Sequence, residues 1–350
     1  MSNKAAFVES EKGRIYVGDA EVAQPEEGEV LVKVQACAIQ PADAKVAKLA
    51  MIPVEYPAVL GSPVAGIVEA LGSGVSKIKV GERVVCGTKI FVHKKAKFGG
   101  LQRFSIVDAS EVVEIGDDVP FTKAVTLASY TPPGALFGDS TLALKYPSIP
   151  AATLPASEQG KKILIWGGSS AMGSLSISYA KAAGYTVIST SSPHNFDILR
   201  ACGADHIFDH SDPATVGKIR DLFPIDYWYD TISLKPSLTT IFKILAPEGQ
   251  PVTKARILTL LPLVMAGVKD ADVPEGITTH FHRFSTHSPE NAEWNKYFLT
   301  SGGFIERAIK EGVLKAVPAD VLGGLESAAD GIESVNKGVS GKKIVIEPWA

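Results

Sequence analysis

The stretch from Lys161 to His210 constrains the fold of this chain more than any other. Ile163, Leu164, Ile165 and Trp166 form a short apolar run, as a parallel strand buried on both faces requires. Gly167 and Gly168 break the run, and Gly173 closes a turn into a segment where Met172, Leu175 and Tyr179 recur at three- and four-residue spacing. That spacing is the apolar stripe of a helix, and Gly184 predicts its end. Val187 and Ile188 open a second strand, Asn195 to Cys202 predicts a second helix, and His206 to Phe208 a third strand. A strand, a glycine turn, a helix and a strand in this order are the setting of a dinucleotide-binding turn.

Such a turn needs small residues, because the backbone must approach a diphosphate while a helix N-terminus directs amides at it. Aligned on Gly173, the pattern reads Gly168, Ser170, Gly173, with a serine where the middle glycine would stand. Its hydroxyl is expected to donate to a phosphate oxygen. The second strand ends in Ser189-Thr190-Ser191-Ser192-Pro193-His194-Asn195, with no carboxylate before Asp197. An acid at this tip grips the ribose 2′-hydroxyl of NAD and repels a 2′-phosphate, whereas hydroxyls, an imidazole and an amide can donate to one. The tip therefore predicts NADPH. Ser192 before Pro193 also reads as a helix N-cap, and both roles can hold at once.

At 350 residues the chain exceeds what one core usually fills, so two domains are expected. Residues 1 to about 113 read as short strands with tight turns, among them Val30 to Ala36, Val64 to Ala70 and Lys79 to Val85. From Phe121 to Leu136 the pattern is helical, interrupted by Pro132-Pro133, and Tyr146 to Ser157 reads as an excursion loop. Helices at Pro213 to Leu222 and Ser237 to Leu245 alternate with strands at Ile225 to Tyr229 and Arg256 to Leu261. Thr278 to Trp294 shows no clean period and reads as loop, short strand or interface, Phe304 to Glu311 is helical, and Gly341 to Glu347 is a late strand. The closing strand implies that the C-terminus returns to the first domain. The expected division is residues 1–135 with 298–350, and residues 136–297.

A net charge of −3 makes no electrostatic case for nucleic acid or an anionic membrane. The opening MSNKAAFVES has no apolar signal core, and the most apolar stretch, Ile257 to Val268, is too short to span a bilayer and contains Pro262. Cys37, Cys86 and Cys202 are far apart and fit reduced thiols of a cytoplasmic protein better than a disulfide framework. His280 and His282 form a lone H-x-H with no thiol or carboxylate pair nearby, so no metal site is expected.

With its dinucleotide unit placed after a β-rich domain, the chain resembles the medium-chain dehydrogenase/reductase superfamily over nearly its whole length. Four stretches carry the likeness: Ala38 to Lys45 (AIQPADAK), Leu60 to Val68 (LGSPVAGIV), the glycine turn, and Val339 to Val345 (VSGKKIV). The resemblance implies a Rossmann-type doubly wound parallel sheet plus a β-rich GroES-like domain. The superfamily's zinc-dependent alcohol dehydrogenases carry a cysteine ligand in the first stretch and Gly-His-Glu in the second. Here Ser62 and Pro63 replace His and Glu, which places the chain among the zinc-independent quinone and enoyl reductases.

Within those it looks most like the fungal trans-acting enoyl reductases that partner iterative polyketide synthases, on Gly167-Gly168-Ser169-Ser170 and Ser192 to Asp197. The resemblance implies cofactor contacts at Ser169, Ser170, Ala171, Met172, Ser192, His194 and Asn195, and Gly168, Gly173 and Ser191 are assigned to cofactor binding with them. It also implies His210 beside the adenosine, Leu260 facing the nicotinamide, Ser340 and Gly341 along the cofactor, and Lys45 near the nicotinamide. Three departures fall on the substrate side: Gln40 replaces an asparagine, Thr131-Pro132-Pro133-Gly134 replaces a Thr-Thr-Ala-Gly-like helix start, and Ala246 to Pro251 replaces a glycine-rich strand start. Lacking N–H groups, the two prolines are expected to reshape that helix start.

The expected reaction is NADPH-dependent reduction of a conjugated C=C bond, in a small molecule or an acyl thioester, either free or borne on a carrier protein. A carbonyl reduced directly needs a Lewis acid or strong proton donor, whereas an enone needs only its enolate held by hydrogen bonds or a cation. Lys45 is the candidate for that charge, with Asp43 either orienting it or serving the loop, and Tyr130 and Thr131 as possible donors to substrate. A quinone or aldehyde reductase and a non-catalytic, NADPH-binding assembly partner are the alternatives, in a monomer or a homodimer.

Overall fold

Short β-branched runs punctuated by glycine fold the N-terminal third into strands. They are β1 (Asn3–Val8), β2 (Ile15–Ala20), β3 (Glu29–Ala38), β4 (Ala58–Val59), β5 (Val64–Leu71), β6 (Arg83–Cys86), β7 (Phe104–Asp108) and β8 (Val113–Glu114). The α/β stretch supplies β9 (Lys162–Trp166), β10 (Thr186–Ser191), β11 (His206–Asp209), β12 (Tyr227–Asp230), β13 (Ala255–Thr259) and β14 (Ile277–Phe281). The chain closes with β15 (Ala319–Val321) and β16 (Lys343–Ile346). This is a computed structural model, and it describes residues 2–281 and 284–350. His282, half of the H-x-H pair, lies outside them.

The chain divides into two units, Met1–Ser129 with Asn295–Gly312 and Pro318–Ala350, and Tyr130–Trp294 with Val313–Val317. Residues 130–135 and 295–297 thus fall across the division from where the sequence places them, and so does Val313–Val317. That strip is held in the second unit by Ser178 and Ser174, whose hydroxyls accept the Lys315 and Val317 amides at 2.9 and 3.2 Å.

In the first unit a seven-stranded sheet runs β15-β16-β3-β5-β6-β8, with β7 also paired to β3, and a three-stranded sheet runs β2-β1-β4. The C-terminus does return here, Val345 and Ile346 pairing antiparallel with Ala38 and Cys37. Alternate residues of the strands, including Val32, Val34, Val64, Val84, Ile344 and Ile346, are buried in one core.

The second unit holds a six-stranded parallel sheet in the order β11-β10-β9-β12-β13-β14. Strand order reverses beside β9, which makes the carboxyl ends of β9 and β12 the crevice where a doubly wound sheet takes its ligand. Helix Lys235–Leu245 covers one face. Its Leu238, Ile241 and Leu245, at three- and four-residue spacing, pack on Leu164, Trp228 and Ile257, each buried apolar side chain stabilising by about 1.5–3 kcal/mol.

One expectation needs correction. Pro132 and Pro133 do not distort the helix Thr131–Phe137; they occupy its second and third positions, where no intrahelical N–H bond is made. The first such bond, Gly134 N to Tyr130 O at 2.9 Å, forms normally. The aperiodic stretch contains the edge strand β14 and then packs on this helix. Trp294 Nε1 donates to Pro133 O at 3.3 Å, its ring lies 4.6 Å from that of Phe284, and a Cβ on Gly134 would meet Phe284 at 2.2 Å.

Candidate active site

The parallel sheet brings most of the expected cofactor residues to the carboxyl ends of adjacent strands. The glycine turn follows β9, Ser191 ends β10 and Ser192 follows it, His210 follows β11, and Leu260 follows β13. Lys45, Asp43, Ser340 and Gly341 belong to the first unit, and Thr131 is exposed at the start of its helix in the second.

At the turn, Gly167 holds a φ of +82°, a left-handed conformation that favours glycine. A Cβ on Gly173 would stand 2.3 Å from Gly167 O and 2.8 Å from Gly168 Cα, and one on Gly168 would stand 2.2 Å from Ser189 Oγ. Backbone thus lies against backbone where a diphosphate cradle needs it. Helix Ala171–Ala182 starts there, with Ala171 and Met172 in its first turn, the end of a helix that favours an anion. These features fit a dinucleotide.

Ser170 differs from expectation. It is the N-cap of that helix, its Oγ accepting the Gly173 amide at 2.9 Å and lying 3.2 Å from Thr231 Oγ1. Ser169, half-buried beside it, makes no hydrogen bond among the described residues and is the hydroxyl open to a phosphate.

At the tip, the Ser192 side chain makes no capping bond; its Oγ lies 3.2 Å from His210 Nε2. Ser191 is buried and donates to Ser192 O at 2.8 Å, Asn195 is buried where the turn enters helix Phe196–Cys202, and His194 is exposed. The Ser192 hydroxyl and the His210 imidazole therefore meet beyond the carboxyl ends of β10 and β11, with no carboxylate from Ser189 to Phe196. The nearest acid along the chain, Asp209, turns its carboxylate to the amide and hydroxyl of Ser211 at 2.9 and 2.7 Å. Leu260 donates its amide to Ser233 Oγ at 2.7 Å, which fixes the chain after β13.

In the first unit, helix Pro41–Leu49 begins with a capping box, the Asp43 carboxylate accepting the Gln40 amide at 2.7 Å. Its other oxygen accepts the Gly61 amide at 2.9 Å. Asp43 therefore ties the loop to the helix start, and no ion pair joins it to Lys45 among the described residues. Lys45 is half-buried, and its ammonium makes no ion pair or hydrogen bond among the described residues. Burial raises Asp43 to about 6, the two amides and the Lys343 charge pulling it back. Lys343 was not singled out in the sequence, because nothing in SGKKIV marks one lysine as buried; burial lowers it to about 8.

The donors present do not suit zinc. Ser62 Oγ accepts the Thr88 amide at 3.1 Å, Pro63 has no side-chain donor, and Cys37, Cys86 and Cys202 are each buried and free. Among the described residues no three His, Cys, Asp or Glu side chains converge to hold a metal. His280, from the H-x-H pair, donates through Nε2 to Ser140 O at 3.0 Å. No helix of the described residues is long and apolar enough to cross a membrane.

Thr231, after β12, was also missed. It is buried and bonds to Ser170 across sixty-one positions of sequence, a separation no local pattern reports.

Comparison with known proteins agrees with this fold. Residues 26–117 match the family described as "Alcohol dehydrogenase GroES-like domain", and residues 171–266 that described as "Zinc-binding dehydrogenase". Trans-enoyl reductase himH of Aspergillus japonicus is 32% identical over 99% of this chain and 98% of its own length. Dehydrogenase orsE of Emericella nidulans is 30% identical over 99% of both. Among solved structures, a putative zinc-dependent alcohol dehydrogenase from Rhizobium etli CFN 42 superposes with a TM-score of 0.76 at 22% identity, covering 99% of this chain and 98% of that one. CurK enoyl reductase does so at 0.71 and 17%, covering 98% and 99%. At those identities the structures establish the fold.

Proposed function

The chain belongs to the medium-chain dehydrogenase/reductase family and is an oxidoreductase of its nicotinamide-dependent class, and on that premise we propose that it uses NADPH to reduce a conjugated C=C bond. We assign the substrate to α,β-unsaturated acyl thioesters of the kind handled in polyketide biosynthesis. The observation that carries this reading is the chain-long likeness to a trans-enoyl reductase, in a site whose metal-ligand positions hold Ser62 and Pro63.

The cofactor supplies hydride when bound. Gly168, Gly173, Ser169 and the amides of Ala171 and Met172 would hold its diphosphate. Ser192, His194, Asn195 and His210 would take the 2′-phosphate of the adenosine ribose, since they offer donors and no negative charge. Leu260, Ser340 and Gly341 complete the set. Lys45 would stabilise the negative charge that develops on the thioester oxygen. Thr131, exposed at its helix start, is the candidate donor to substrate in the second unit. The buried, reduced thiols suit the cytoplasm.

A substrate panel tests the reaction. Purified protein should oxidise NADPH with an enoyl thioester at least about tenfold faster, by kcat/KM, than with a quinone or an aldehyde. The opposite ranking would replace the enoyl reading with a quinone or aldehyde reductase. Binding of NADPH without turnover of any class would favour a non-catalytic assembly partner.

A further inference from the structure

The bond between Ser170 and Thr231 has a definite direction. Thr231 Oγ1 lies 2.7 Å from Trp166 O and 3.2 Å from Gly167 O. Carbonyl oxygens only accept, so the single threonine proton goes to them. Towards Ser170, 3.2 Å away, the Thr231 oxygen can then act only as acceptor, and the proton in that bond is the serine's. The Ser170 oxygen in turn accepts the Gly173 amide at 2.9 Å. Both functions of the Ser170 hydroxyl are thus committed within the protein, one to the helix cap and one to Thr231. It has no proton left for a ligand.

This relay sits at the switch point of the sheet. Trp166 ends β9 and Asp230 ends β12, and the two are paired in register. Thr231 adds a backbone bond of its own, its amide donating to Trp166 O at 3.1 Å. The relay joins the end of one strand to the first turn of the helix that follows the other.

We propose that Thr231 is a positioning residue for the dinucleotide diphosphate. It fixes Ser170 as a cap and so holds the Gly167–Gly173 turn in the form that presents the Ala171 and Met172 amides and the Ser169 hydroxyl. The serine in place of the fingerprint's middle glycine is then a structural element, and Ser169 is the serine that contacts phosphate. This rests on the nicotinamide-dinucleotide class and not on NADPH over NADH, because both cofactors carry the diphosphate.

The test uses the full chain and two probes, ADP-ribose, which carries the diphosphate, and 2′-AMP, which does not. Dissociation constants are measured calorimetrically for the wild type, Thr231→Val, Thr231→Ser, Ser170→Ala and the double variant Ser170→Ala/Thr231→Val. Thr231→Val should weaken ADP-ribose about 5-fold, the scale of one hydrogen bond, and change 2′-AMP less than about 2-fold. Thr231→Ser, which keeps the acceptor, should bind as the wild type does. In the Ser170→Ala background the valine should add less than about 2-fold, since its effect passes through the serine. Unchanged ADP-ribose binding in Thr231→Val, equal loss of both probes, or a full valine effect without Ser170 would each overturn the proposal. Should Thr231→Val not fold, Ser170→Ala alone should weaken ADP-ribose by the same factor, and equal affinity would overturn the proposal. A wild type that binds ADP-ribose but not 2′-AMP contradicts NADPH, while the ADP-ribose series still decides the role of Thr231.

Discussion

Asp43 and Gly61 are joined by a 2.9 Å hydrogen bond in which the buried Gly61 amide donates to the aspartate, eighteen positions away. The same carboxylate accepts the Gln40 amide, so one side chain ties a helix start to the loop that carries Ser62. Asp43→Ala would leave both amides without an acceptor. It should cost about 2–4 kcal/mol in urea unfolding, the scale of two unsatisfied amides. A loss below about 1 kcal/mol would remove Asp43 from the loop's support.

The same carboxyl makes a pH prediction. Its folded value of about 6 lies above the ordinary 3.8, because burial penalises the charge. The unfolded chain therefore releases this proton first, and Asp43's contribution to stability falls as pH rises from about 4 to 6, then stays level. Lys343 is among the groups that lower the value, so Lys343→Met should extend the falling segment above pH 6. Urea midpoints across that range should show it, and profiles of the same shape for wild type and variant would separate the two groups.

Gly173→Ala places a Cβ 2.3 Å from Gly167 O, against backbone that cannot rotate away. NADPH binding, followed by nicotinamide fluorescence, should fall by at least about 30-fold, equivalent to roughly 2 kcal/mol of displaced turn. Binding within a factor of about three would mean that the turn does not approach the diphosphate.

How much of this was legible in the sequence depends on the range of the interactions. β9, with Ile163 to Ile165 buried on both faces, announces itself as an unbroken apolar run. β14 does not, because it is an edge strand in which Ile277 is buried and Thr278 and Phe281 are exposed, so neither period survives. Pro132 and Pro133 read as a break because their position within a first helical turn is set by where the helix starts. The motif alone makes the Ser170 hydroxyl a donor to phosphate. What redirects it is Thr231, which no spacing rule connects to it.

Ser192 and His210 lie 3.2 Å apart with no acid between β10's tip and Asp197. Ser192→Asp would put a carboxylate where a 2′-phosphate is expected. KM for NADPH should rise at least about tenfold relative to that for NADH, about 1.4 kcal/mol of repulsion. Equal changes for the two cofactors would mean that this edge does not read the 2′-position.

The reaction itself is tested most directly by following the hydride. Purified protein is supplied with NADPH deuterated at the transferable C4 position and an α,β-unsaturated acyl thioester, and the product is examined by mass spectrometry and NMR. The expected product is the saturated thioester with one deuteron at its β-carbon. A deuterium-labelled allylic alcohol or aldehyde, with the double bond intact, would contradict C=C reduction and assign the chain to carbonyl chemistry.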